Sequence, residues 1–214
     1  MIQTLAMFPL EMVVFPQEKL ALHIFEDRYQ QLIADCEHED ITFGISAYID
    51  KKMRYGTQVR LSRVVNRYDT GASDIVCEGM RVFKIHNFKS KLNDRLYAGA
   101  DIEFLPNRDD ATSAQRHRFF RLVNELYKAL DVAMPPTEPE LLTSYSFAHK
   151  VGLSLQQELK LIQITSEAER FTFINGHLSV TVPLINQINR TKELIQMNGH
   201  FKNFDPLDFA EYKL

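Results

Sequence analysis

The sequence predicts an α+β chain: a β-rich lobe built around a small barrel with one inserted helix, followed by an α-helical bundle with a long last helix. Three observations predict it. Short runs of β-forming residues alternate with polar ones before residue 106. The pattern changes at Pro106-Asn107-Arg108-Asp109-Asp110, a polar run with proline at its head. Beyond it, four Ser or Thr residues are each followed three positions later by Glu or Gln, the pattern of a reciprocal helix N-cap. The lobes are placed at residues 1–106 and 111–214.

In the first lobe, Leu20, Leu22 and Ile24 alternate, and Ile41 to Ile49 is rich in β formers. Val59, Leu61 and Val65 alternate with polar neighbours. Arg81, Phe83 and Ile85 share a face, and Ile102 and Phe104 close the set. Gly44, Gly56, Gly71, Gly79 and Gly99 among these short strands suggest a tightly curved barrel. Tyr29, Leu32, Ile33 and Cys36 stand at helical spacing, so a helix is expected over about Glu26 to Glu37.

In the second lobe the four caps are Thr112 with Gln115, Thr137 with Glu140, Ser154 with Gln157, and Ser166 with Glu169. The first helix buries Phe119, Leu122, Val123, Leu126 and Leu130 and stops before Pro135-Pro136. The second carries Leu141, Leu142, Tyr145 and Ala148 and ends at Gly152. A short third presents Leu155, Leu159 and Ile162. The last runs from Ser166 toward Asn198, with a kink or break expected near residues 179 to 183 because Pro183 removes a hydrogen bond to the Ser179 carbonyl. Three phenylalanines and a tyrosine in Phe201 to Leu214 suggest that this tail folds back onto the body.

Composition sets the bounds. A chain of 214 residues, 45% hydrophobic, is large enough to bury a core without stapling. Two cysteines, Cys36 and Cys77, suggest a reducing compartment in which both are buried small hydrophobes, with a disulfide between them as the alternative. The N-terminus lacks the basic head and apolar run of a leader, and no stretch has membrane-spanning length, so a soluble cytoplasmic protein is expected. The net charge of -3 argues against a surface generally coated for nucleic acid, although the charge is uneven. Residues 1–50 carry 2 basic and 9 acidic side chains; residues 51–95 carry 11 and 4.

Phe8-Pro9-Leu10, Val13-Val14-Phe15-Pro16 and the run from Leu20 through His23-Ile24-Phe25-Glu26-Asp27-Arg28-Tyr29 resemble the opening of the Lon N-terminal domain family. This is the substrate-binding domain of ATP-dependent Lon proteases, which also occurs as a free-standing protein and within cereblon. The resemblance continues through Phe43-Gly44-Ile45, Tyr55-Gly56-Thr57 and Glu78-Gly79-Met80-Arg81-Val82-Phe83 into the helical half. It implies a barrel similar to PUA domains followed by helices. Most family members carry proline where Asp27 stands, and either residue suits a first helical turn. A Lon motor needs a glycine-rich phosphate loop ending in Gly-Lys, and no Gly-Lys pair occurs. A free-standing recognition part without ATPase or peptidase domains is therefore expected.

Catalytic chemistry finds no support in the residues. No Gly-x-Ser-x-Gly elbow occurs. Cys36-Glu37-His38 places two metal-ligand types together, but a zinc site needs three or four, and the remaining histidines show no paired spacing. No cofactor and no metal are expected. Glu26, Asp27 and Arg28 read as a charged helix start, with Arg28 tying the helix to the barrel. Asp109 and Asp110 read as solvating the linker.

Two binding readings follow. In the first, the chain is a non-catalytic module that recognises unfolded or extended protein segments through a groove on the β lobe or the seam between lobes, acting alone or alongside a separate protease or chaperone. Tyr55, Arg60, Arg67, Tyr68, Met80 and Arg81 form its contact set, chosen because strand and turn positions expose them. In the second, the chain binds RNA through Arg60, Arg63, Arg67, Arg81, Lys84, Lys89, Lys91 and Arg95 with Tyr55, Tyr68 and Phe88. Against it, the lobe's 13 basic and 15 acidic side chains can pair internally. A monomer or weak dimer is expected.

Overall fold

The computed structural model describes residues 1–200. Its strands are β1 (Ile2–Leu10), β2 (Lys19–Ile24), β3 (Phe43–Ile49), β4 (Lys52–Arg67), β5 (Ser73–Lys89) and β6 (Ala98–Phe104). They form one sheet in the order β2-β5-β4-β3-β1-β6, and the far half of β5 pairs with β6, closing the sheet on itself. All pairings are antiparallel except β1 with β3. The helix α1 (Asp27–Glu39) lies between β2 and β3 in sequence, as the inserted helix was expected to.

Side-chain size explains the barrel's closeness. Phe83, Met7, Leu5, Ala100 and Ile102 pack together as one buried cluster. A Cβ added at Gly44 would sit 2.7 Å from the Phe83 ring, and one at Gly56 would sit 2.4 Å from the Ile45 carbonyl and 2.7 Å from that ring. Only glycine at both positions lets strands pass this close to the Phe83 ring. On the outer face, Tyr29, Leu32, Ile33 and Cys36 of α1 cover Phe8, Phe43, Ile45 and Cys77. Both cysteines are free and buried, and burial pushes each thiol up to about 12, so neither is a ready nucleophile.

The helical half contains α2 (Ser113–Ala129), α3 (Leu155–Gln163) and α4 (Glu167–His200). Thr112 and Ser154 each make the full reciprocal cap predicted for them. Ser166 caps α4 through its hydroxyl, which accepts from the Glu169 amide at 3.2 Å. There the returning bond comes from the linker: Asp110 accepts from the Ser166 hydroxyl at 2.9 Å and the Ala168 amide at 3.0 Å. Asp110 therefore holds a helix end, a role the solvating reading did not include. These bonds keep its carboxyl below the usual range.

The helix expected from Thr137 to Gly152 is replaced by two short 3-10 turns, Pro139–Leu141 and Ala148–Lys150. Thr137 turns its hydroxyl back to the Pro135 carbonyl at 2.8 Å instead of capping. The Ser144 amide and hydroxyl, both buried, donate to Glu167 at 2.7 and 2.9 Å. An α-helix would spend the Ser144 amide on its own ladder, so tertiary bonding overrides the local pattern.

Helix α4 continues through Pro183 without interruption, so the break is not seen. The expected docking of Phe201 to Leu214 lies outside the described residues. The largest apolar cluster joins both halves: Val13, Phe15, Ala47, Ile49 and Val82 pack with Phe119, Val123, Phe147 and Phe171. Two glycine substitutions test this packing with opposite signs. Gly56→Ala is expected to lower unfolding free energy by about 1–3 kcal/mol, because its clash is with backbone. Gly176→Ala, in α4 with nothing within 4 Å of the new methyl, is expected to raise it by about 0.5–1 kcal/mol in the same urea titration.

Candidate functional site

Three depressions follow the line where the barrel meets the helical half, with volumes of about 500, 270 and 140 Å3. Pro16 and Tyr145 border all three, so the depressions adjoin one another along the seam.

Pro16 is set there by a tight turn. Proline fixes its own φ, Gln17 takes the left-handed φ of 68°, and the Glu18 amide donates to the Phe15 carbonyl at 3.2 Å. The turn is tied to β5: Gln17 donates to the Gly79 carbonyl and Gly79 to the Glu18 carbonyl, each at 2.8 Å. A Cβ at Gly79 would fall 2.1 Å from the Phe15 oxygen, so the approach requires glycine. Thr57 adds a hydroxyl bond to the Val14 carbonyl at 2.5 Å.

Tyr145 is set by contacts on its ring from a second ring and a guanidinium. It stacks on Phe15 at 5.4 Å, and the Arg170 guanidinium lies 4.7 Å from its ring centroid. Burial pushes its hydroxyl up to about 12, leaving a neutral group at any ordinary pH.

Beneath the groove, Arg170 and Glu167 form a buried ion pair at 2.6 Å, 2% and 3% exposed. Arg170 also donates to the Ile164 carbonyl and to Asn107 at 2.6 Å each, and to the Ser144 hydroxyl at 3.0 Å. The pair thus draws the linker, the 3-10 segment, the end of α3 and the start of α4 to one point.

At the other end, His149 bridges the halves. Its Nδ1 lies 2.8 Å from Glu158 on α3, its Nε2 3.1 Å from Glu18 on the turn, and its ring 4.6 Å from Phe15. Hydrogen bonding to Glu18, against opposing desolvation, raises the His149 pKa above the ordinary 6.5.

Of the six residues predicted to make contacts, Met80 and Arg81 border the groove. Tyr55 is partly buried against the shared core. Arg60 pairs with Glu78 at 3.7 Å and borders a separate depression beside Cys36. Arg67 pairs with Glu37 at 2.5 Å, and Tyr68 donates to Asp74 at 2.6 Å beside His23. The structure brings Met80 and Arg81 together and leaves the other four elsewhere. Arg28 pairs with its own neighbour Glu26 at 2.7 Å. Arg95 reaches Asp35 and Glu39 on α1, and Lys89 reaches Asp101, so part of the basic stretch is neutralised within the lobe.

Pro16, Asn107, Tyr145 and Arg170 also border the groove and are not among the site residues that the sequence singles out. The Pro16-Gln17 pair and the Glu167/Arg170 spacing are visible in the sequence, but neither shows that the two lie on one seam. Among the described residues no three His, Cys, Asp or Glu side chains gather as a metal would need, and no helix is long and apolar enough to cross a membrane.

Fold and seam define a class: a closed six-stranded barrel with an inserted helix, backed by helices. The chain belongs to the ATP-dependent protease La (LON) substrate-binding domain family, whose family model matches residues 4–185. It is similar to a Lon N-terminal domain protein from Xanthomonas campestris, with 24% identity and a TM-score of 0.62 over 79% of this chain and 95% of that one. It is similar also to the N-terminal domain of the Mycobacterium avium complex Lon protease, with 15% identity and a TM-score of 0.62 over 83% and 99%. At these identities the two structures speak for the fold. No curated protein matches the chain.

The His149 bridge generates a prediction with a definite sign. A pKa raised on folding means that the folded state holds the proton more tightly, so the bridge's stabilisation is complete below about pH 6.5 and is lost as pH rises through the folded-state value. Urea midpoints measured from acid to alkaline pH should fall across that window more steeply for the native chain than for His149→Gln.

Proposed function

We propose that this chain is a non-catalytic recognition module that holds unfolded or extended polypeptide segments in the groove along the seam. The alignment of three depressions along the seam, each bordered by Pro16 and Tyr145, carries the reading. Membership of a substrate-binding domain family supports it. An extended segment needs a long, shallow track with apolar walls and scattered polar groups, and this seam supplies both. Of the sequence-derived contact set, Met80 and Arg81 are kept as contacts. The module serves as an accessory to proteolysis by presenting what it holds to a separate protease or chaperone.

The absence of tryptophan from the chain provides the test. Gln17→Trp places a reporter on the exposed turn at the groove, and Val65→Trp places one at an exposed site on β4. Titration with a permanently unfolded, tryptophan-free polypeptide, such as reduced and alkylated ribonuclease A, should change the emission of the Gln17→Trp protein and leave that of the Val65→Trp protein unchanged. A response at Val65→Trp alone, or at neither, overturns the proposal.

A further inference from the structure

The depression bordered by Met80 and Arg81 differs chemically from the other two. Its walls are apolar, supplied by Val82, Leu105, Ile162 and Ile164, and its volume of about 270 Å3 falls below the usual range for sites that enclose a drug-sized ligand. It has room for one side chain and its end group rather than for a length of peptide.

The polar groups at this depression are donors. Arg81 lies at its border, exposed, with its guanidinium 3.9 Å from the Phe104 ring centroid. Among the described residues no carboxylate pairs with it. Asn107 gives its carbonyl oxygen to Arg170, which leaves its amide hydrogens to donate. The Tyr145 hydroxyl, held neutral by burial, has no hydrogen-bond partner among the described residues. Arg170 is already matched by Glu167, so the unmatched charge at the depression is that of Arg81. An apolar hole edged by a free cation and two neutral donors is complementary to a carboxylate attached to an aliphatic group.

We infer that the depression beside Arg81 binds the C-terminal residue of a polypeptide, its aliphatic side chain in the apolar hole and its terminal carboxylate on Arg81, Asn107 and Tyr145. This rests on the reading of the seam as a polypeptide groove and adds an end-specific anchor to it. Backbone amides inside a chain carry no net charge, so an internal segment leaves Arg81 unmatched. A chain ending in Leu, Ile or Val satisfies both the charge and the hole.

The experiment uses a fluorescein-labelled decapeptide ending in leucine, the same peptide with a C-terminal amide, and N-acetyl-leucine as competitor, read by anisotropy with the full chain. The free-acid peptide should bind about tenfold or more tightly than the amide, the loss expected for one charge-assisted pair. Arg81→Gln, at an exposed position, should bring the acid down to the amide's affinity and leave the amide unchanged. Equal binding of acid and amide, or no effect of Arg81→Gln, overturns the inference. If both bind equally and the Gln17→Trp reporter responds, the groove stands and only its end-specificity falls. If N-acetyl-leucine competes as well as the peptide, the site belongs to small carboxylic acids and the polypeptide C-terminus is overturned as its occupant.

Discussion

The structure depends on the buried pair of Arg170 and Glu167. Taking two charges out of water costs several kcal/mol, and this is repaid only when every remaining donor and acceptor is met. Here the demand is met from separate stretches of chain: Asn107 from the linker, Ser144 from the 3-10 segment, and the Ile164 carbonyl from the end of α3. No one of these segments can shift without leaving a charge or a polar group unpaired in the interior. The seam is therefore fixed from below, and the groove above it is largely pre-formed.

The barrel fixes the seam from the other side. Gly44 and Gly56 give way to the Phe83 ring, and Gly79 lets the turn at Pro16 approach β5 so closely that two reciprocal amide bonds form. The outcome is positional: Pro16 and Gln17 stand opposite Tyr145, and β5 delivers Met80 and Arg81 to the same line. Asp110 completes the joint by capping α4 from the linker. A short polar connection thus acts as part of the interface it connects.

Much of the fold was legible because it is encoded locally. The alternating strands, the α1 periodicity, the caps at Thr112 and Ser154 and the change at Pro106 each need only a few neighbouring residues. The segment from Thr137 to Gly152 misled because its helical pattern is real but outbid: Ser144 bonds to a residue 23 positions away, which no local window contains. The basic stretch was legible as charge but not as geometry, since Asp35, Glu37 and Glu39 reach Arg95 and Arg67 only once α1 lies beside the strands. Met80 and Arg81, which border the groove, lie on a strand whose exposed positions can be read locally. Tyr145 and Asn107 reach the same groove only by packing against elements distant in sequence.

The central claim is that the seam itself takes up polypeptide. Hydrogen–deuterium exchange of the full chain, with and without saturating reduced and alkylated casein, tests it most directly by reporting every backbone amide at once. The account predicts new protection confined to residues 15–19, 80–82, 105–109 and 143–150. Protection on the outer edge of β2 or on the β4 and β5 hairpin, with those seam segments unchanged, would contradict it.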